Sequence, residues 1–191
     1  VTWDSAGDGK VRLYVDGALF YTSTGSSNTA MTGLPTLLMG ALQWNNSSQN
    51  SITASQALNG SLDDVRIYSR ALSAQEILKL YVAGGGKQNV SNTNTLSSGL
   101  IGYWTFDGKN MTNATATDSG TSGSNAALIN MTTNSSAVIG KIGQALSFNG
   151  TTNSRYVDAG NSSAFDFGTG DFTFSLWMNP ASSWSTPTAD S

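Results

Sequence analysis

The sequence predicts an all-β protein, an antiparallel β-sandwich of jelly-roll type with one short helix. Many short segments alternate apolar and polar residues, with Gly, Asn or Asp between them, and that even spacing is the pattern of sandwiches and jelly rolls. A single stretch, residues 74–81, carries both the start signal and the periodicity of a helix. The chain is 38% hydrophobic yet only 11% charged, so Ser, Thr, Asn and Gly supply most of its polar surface.

The elements follow in order. Lys10–Ser23 (KVRLYVDGALFYTS) sets Val11, Leu13 and Val15 against Arg12, Tyr14 and Asp16, then turns at Asp16-Gly17 into Leu19 and Tyr21. Asp-Gly between alternating runs predicts a hairpin with a two-residue turn. Leu34–Leu42 is a short apolar run whose length favours a buried strand, bounded by Gly33 and a polar loop over Asn45–Thr53. A further strand is expected over Leu62–Tyr68. The helix is expected over Ala74–Tyr81, where Ser73 and Glu76 have capping-box spacing and Ile77, Leu80 and Tyr81 share a face. Gly84, Gly85 and Gly86 stop it. Val82–Ser98 reads as a flexible linker of seventeen residues, able to reach roughly 50 Å when extended. Beyond it, Leu100–Asp107, Ala126–Asn130, Ala145–Asn149, Arg155–Ala159 and Asp171–Asn179 are all strand-like.

Two of these segments stand in inverted order. Gly60–Tyr81 (GSLDDVRIYSRALSAQEILKLY) has the form of a domain's end, and Gly99–Gly108 (GLIGYWTFDG) that of a domain's beginning. Together with VTWDSAGDGKVRLYVDG at Val1–Gly17, GKIGQALSFNGT at Gly140–Thr151 and GDFTFSLWMNP at Gly170–Pro180, they resemble the LamG-like jelly-roll module of the concanavalin A-like lectin/glucanase superfamily. The resemblance implies three parts: residues 1–81 as the closing half of one module, 82–98 as linker, and 99–191 as the opening half of the next. It also implies that the strands between the WMNP-like and VTWD-like segments are missing. A half-sandwich leaves an apolar face bare at about 25 cal/mol per Å². The linker is long enough to let the two halves pair as one permuted, shortened sandwich.

Composition excludes several chemistries. A formal charge of −3 without a basic cluster argues against nucleic acid, because phosphate binding relies on Lys and Arg releasing counterions. No apolar run reaches the roughly 20 residues a membrane helix needs, so no membrane insertion is expected. The sequence has no Cys and no His, and Glu76 is its only glutamate. Disulfides, thiolate or imidazole zinc sites and Ser-His-Asp catalysis are therefore ruled out for these residues. Glycoside hydrolysis usually needs two carboxylates flanking the scissile bond, and no acid pair stands in such a context. The chain is expected to be non-catalytic. Sequons at Asn46, Asn59, Asn110 and Asn149 carry little weight in a chain so rich in Asn, Ser and Thr.

Oxygen ligands are better represented. Asp63 and Asp64 lie at a strand, Asp107 follows another, and Asp118–Asn125 (DSGTSGSN) is a Gly-rich loop. Calcium takes six to eight oxygens, a demand suited by such acids and carbonyls, and the family resemblance adds that these modules often hold a structural calcium. Asp63, Asp107, Asp118 and Asn125 are the candidate ligands; the competing reading makes them turn formers that bond their own backbone. Asp4, Asp8 and Asp16 are weaker candidates, Asp8-Gly9 and Asp16-Gly17 being turn dipeptides, and Asp158 and Asp171 read as residues beside turns to which the family pattern leaves a supporting role. Trp104 and Trp177, inside strands, read as core. Trp44, followed by Asn45 and Asn46, is the candidate glycan platform, against the alternative of a ring tucked under its own loop. The expected function is a non-catalytic recognition module, carbohydrate-binding, in a large extracellular or cell-surface protein with neighbouring like modules. A protein-binding adhesion or spacer repeat, binding a cell-surface protein, is the alternative, and a module appended to a secreted glycoside hydrolase is a third reading.

Overall fold

The computed structural model describes residues 1–5, 7–23, 36–41, 44–46, 49–51, 57–85, 95–151 and 155–181. Its strands are β1 (Thr2–Asp4), β2 (Lys10–Val15), β3 (Ala18–Thr22), β4 (Leu38–Met39), β5 (Trp44–Asn46), β6 (Gln49–Ser51) and β7 (Asn59–Tyr68). Helix α1 (Ala74–Ala83) follows, then β8 (Leu100–Trp104), β9 (Met111–Thr112), β10 (Thr115–Ala116) and β11 (Ala126–Ile129). Helix α2 (Thr133–Ser136), β12 (Ala137–Ile139), β13 (Gln144–Asn149), β14 (Tyr156–Asp158) and β15 (Phe172–Pro180) complete the order. The protein is thus the expected all-β sandwich, with a four-residue helix added to the predicted one.

Local chemistry explains the local elements. Asp16 and Gly17 have φ of 51° and 77°, the pair of positive values that a type I′ hairpin turn needs, so β2 folds onto β3. At α1 the Ser73 hydroxyl accepts from Glu76 N and the Glu76 carboxylate accepts from Ser73 N, the reciprocal capping box. Arg70 then grips both Glu76 oxygens, at 2.9 and 2.7 Å. The helix runs two residues into the expected linker, to Ala83. The linker's far end is docked as well. Ser98 O accepts from Arg70 Nε, and Leu96 packs with Tyr68, Leu72, Ile77, Leu80 and Leu100.

One sheet has eight strands in the order β12-β13-β7-β15-β1-β2-β3, with β8 also on β7; the other has five, β4-β14-β11-β10-β9. Strand β7 is the pivot of the large sheet. Along one edge it pairs antiparallel with β15, from Thr173↔Tyr68 to Pro180↔Gly60. Its other edge is shared: β13 takes Asn59–Leu62 and β8 takes Val65–Tyr68. Between those partners stand Asp63 and Asp64, the latter at φ 57°, a left-handed conformation that few residues other than Gly, Asn and Asp tolerate. All three neighbours of β7 come from beyond residue 99, so strands on the two sides of residues 82–98 share one sheet.

The core lies between the sheets. Leu62, Val65 and Ile67 of β7, Trp104 of β8 and Leu146 and Phe148 of β13 meet Met39, Ala116, Ala126, Leu128 and Val157 of the smaller sheet, and all are buried. Trp104 is fully enclosed, as expected of a core residue. Trp177 is not in this core. It stands beneath the end of α1, its ring 5.7 Å from that of Tyr81, with the Lys141 ammonium 5.2 Å over its face. The β2-β3 end of the large sheet contributes nothing to the buried cluster, and Val15, Leu19, Phe20 and Tyr21 stay exposed there.

Candidate functional site

The break in β7 brings acids and a turn together. Strand β13 begins where β8 has already left the sheet, and the turn 140–143 fills the gap between them. Asp63 Oδ2 accepts from Ile142 N at 2.8 Å. Asp107, just past β8, accepts from Gln144 N at 2.9 Å through Oδ1, while the Gln144 Oε1 accepts from Gly108 N at 2.7 Å. Two carboxylates therefore hold one turn from both ends. The turn's glycines make room for them: a Cβ on Gly140 would stand 2.6 Å from Asp63 Oδ2, and one on Gly143 would collide with Asp107 Oδ1.

The neighbouring charges are unevenly met. Asp64 is answered, since its Oδ2 lies 2.7 Å from Arg66 Nη2 and its Oδ1 accepts from the Tyr103 hydroxyl at 2.7 Å. Arg66 also stacks on the Tyr103 ring and donates to its hydroxyl. Asp63 is only 3% exposed, and its Oδ1 has no hydrogen-bond partner. Burial, followed by the like charges of Asp64 and Asp107, pushes the Asp63 carboxyl up to about 6, although backbone hydrogen bonds from Ile142 and Lys141 pull the other way.

Asp118 and Asn125 serve a different structure. Asp118 Oδ1 accepts from Tyr103 N and Gly120 N, and Oδ2 accepts from the Ser122 hydroxyl and Ser124 N. Asn125 Oδ1 accepts from Asp118 N. The loop then runs beside β8 through Ser119 N to Tyr103 O and Ser122 N to Ile101 O, and Trp104 Nε1 donates to Ser124 O. Each carboxylate oxygen of Asp118 already takes two donors, an arrangement that holds a loop and leaves little electron density for a cation. Among the described residues no three of His, Cys, Asp and Glu converge where a metal ion could be held. Fitted to calcium, the four candidate ligands separate: Asp63 and Asp107 share the β7 break, whereas Asp118 and Asn125 organise their own loop. Asp158 and Asp171 hold turns, accepting from Gly160 N and from Ser5 N respectively.

The candidate glycan platform lies on a ribbon. Trp44, Asn45 and Asn46 form β5, paired with β6 through Trp44↔Ser51, Asn45↔Asn50 and Asn46↔Gln49, in place of the expected loop. This two-stranded unit belongs to neither large sheet. Its side chains lie outside the described residues. No helix among the described residues is long and apolar enough to cross a membrane.

Residues 1–78 match the Laminin_G_3 family model, described as the concanavalin A-like lectin/glucanases superfamily. That segment is thus similar to the LamG-like family. The sandwich of two antiparallel sheets is likewise consistent with the concanavalin A-like fold. The LamG-like match covers β1 to the first turn and a half of α1, and includes Asp63, Asp64 and the β5-β6 ribbon but not Asp107. Neither the curated proteins nor the solved structures contain a match to the chain.

Proposed function

We propose that the chain is a non-catalytic recognition module that binds carbohydrate, part of a large extracellular or cell-surface protein in which like modules adjoin it. The observation that supports this reading most is the LamG-like segment's β5-β6 ribbon, which carries Trp44-Asn45-Asn46 outside both sheets. A sugar presents C–H faces that stack on aromatic rings and hydroxyls that bond amides, and this tripeptide offers both. The single glutamate argues the same way. Glu76, the sole glutamate, is tied to Arg70 and Ser73, and that pairing holds its carboxyl down at about 2, far from the range of a general acid.

Affinity electrophoresis of the chain in a panel of polysaccharide gels tests the reading. Retardation in at least one gel, lost in Trp44→Ala, is the expected result; migration unchanged in every gel overturns it. One observation favours protein recognition as a second reading. Strand β3 is the end strand of its sheet, and Phe20 on it is 74% exposed. An uncharged edge of that kind takes an added strand from a protein partner. A chain that binds no glycan yet captures a cell-surface protein, with capture abolished by Phe20→Asp, replaces the first reading with the second.

A further inference from the structure

We infer that β3 pairs antiparallel with β3 of a second copy of this chain, about a two-fold axis near Phe20, so that two large sheets join edge to edge. This pairing rests on the reading of β3 as a strand-accepting edge and is independent of the glycan reading.

Strand β3 ends the eight-stranded sheet, and among the described residues it has no neighbour other than β2. An end strand offers a row of N–H and C=O groups to another chain, and proteins commonly blunt it with charge, proline or brevity. The two ends of this sheet differ in that respect. At the far end β12 is only three residues long, whereas β3 has five, Ala18–Thr22, with neither charge nor proline among them. Leu19, Phe20 and Tyr21 are all exposed there. Phe20 is also the extra residue of a bulge, lying between the pairs Leu13↔Tyr21 and Tyr14↔Leu19. A bulge sharpens the local twist and works against a flat, growing stack, which leaves a closed pair as the contact this edge can form.

Symmetry and charge select a second copy as the occupant. In a two-fold contact residue i meets j and j meets i, so a charge near the axis would face its own image. Strand β3 has none to repel. The charges of the hairpin stand at its two ends, Lys10 at the start of β2 and Asp16 in the turn. Neither has an ion-pair partner among the described residues, whereas Arg12 is met by both Asp4 and Asp8. With Phe20 opposite Phe20, the antiparallel arrangement lays the Asp16 end of each hairpin beside the Lys10 end of the other. Two opposite-charge contacts then flank an apolar centre in which Leu19 faces Tyr21 of the second copy. A single edge pairing buries little surface, so the dimer belongs to the weak, reversible class.

Sedimentation equilibrium of the full chain, from micromolar to near-millimolar concentration, decides the matter. The expected result is a reversible equilibrium that stops at the dimer and weakens a few-fold as salt screens the end charges. Phe20→Asp sets two carboxylates against each other at the axis and is expected to weaken the dimer about tenfold or more. Asp16→Asn keeps a turn-forming pair with Gly17 and removes the charge, so it is expected to weaken the dimer about threefold and to abolish the salt dependence. Both replaced side chains are exposed, and both variants are expected to keep the parent Tm at dilute concentration. Ile139→Asp, on β12, is expected to leave the dimer unchanged. A chain that stays monomeric throughout overturns the pairing, as does growth beyond the dimer. So does a dimer that survives Phe20→Asp, keeps its salt dependence in Asp16→Asn or is lost in Ile139→Asp. A monomeric chain that still captures a cell-surface protein through Phe20 overturns self-pairing alone and leaves β3 as an edge for a different partner.

Discussion

Val65 of β7 stands opposite Trp104 of β8, and the two side chains lie in the same buried cluster. The pair joins strands from the two sides of residues 82–98, so the Trp104 ring rests on a sheet completed by the other segment. Trp104→Ala is expected to cost about 3–5 kcal/mol, the usual range for an enclosed aromatic side chain. Urea unfolding followed by tryptophan fluorescence and by far-UV circular dichroism should shift together to a lower midpoint. Two separate transitions, only one of them shifted, would show that the segments unfold independently and that the shared core is not cooperative.

Glu76 makes α1 sensitive to acid. Hydrogen bonds from Arg70, then the backbone and hydroxyl of Ser73, outweigh partial burial and hold its carboxyl at about 2, down from 4.5. The folded value lies below the unfolded one, so this contribution is complete above pH 4.5 and fades as pH falls toward 2. Glu76→Gln is expected to cost about 1 kcal/mol at pH 7, since it removes a bidentate ion pair but keeps a cap acceptor. Urea midpoints of parent and variant should differ at pH 7 and converge near pH 2. A gap that stays constant across that range would remove the ionised pair as its cause.

The features legible in the sequence are those whose partners are near in the chain. Asp16-Gly17 and Ser73-x-x-Glu76 each specify their geometry within a few residues, and both form as expected. The break in β7 is different. What makes Asp63 a turn holder is Ile142, 79 residues away, and what gives Asp64 its hydroxyl donor is Tyr103, 39 residues away. No periodicity encodes those distances. Trp177 departs from its expected place in the core for a related reason: the register shift in β15 between Ser175 and Trp177 upsets the alternation from which its face would be counted. The β5-β6 ribbon reads as a loop because polar Asn, Ser and Gln hide the alternation that marks a strand.

Asp118 offers a test of the loop it organises. Replacing it with Ala removes the acceptor for three backbone amides, Tyr103, Gly120 and Ser124, and for the Ser122 hydroxyl. A stranded buried donor costs about 1–3 kcal/mol, and water entering a relaxed loop recovers part of that. The net loss in Asp118→Ala is expected to be about 2–4 kcal/mol. Amide hydrogen exchange should accelerate first at Tyr103 and Ser124. Unchanged protection at Tyr103 would mean that the loop is held by its backbone bonds to β8 alone.

Gly17 and Gly85 together separate backbone strain from steric contact. Both have positive φ, 77° and 92°, so a side chain at either is strained by the backbone. They differ in surroundings. A Cβ on Gly17 would lie 2.9 Å from Tyr81 Cβ, whereas one on Gly85 meets nothing within 4 Å. Tyr81 in turn packs on Trp177, so pressure at the hairpin turn passes through α1 to the outer face of β15. Gly85→Ala is expected to cost about 1 kcal/mol, the backbone share alone. Gly17→Ala should exceed it by about 1 kcal/mol more, since the helix end must shift to relieve the contact. Equal losses in calorimetric stability would show that α1 moves freely over the turn, and that its C-terminal half is held by Trp177 without help from the β2-β3 hairpin.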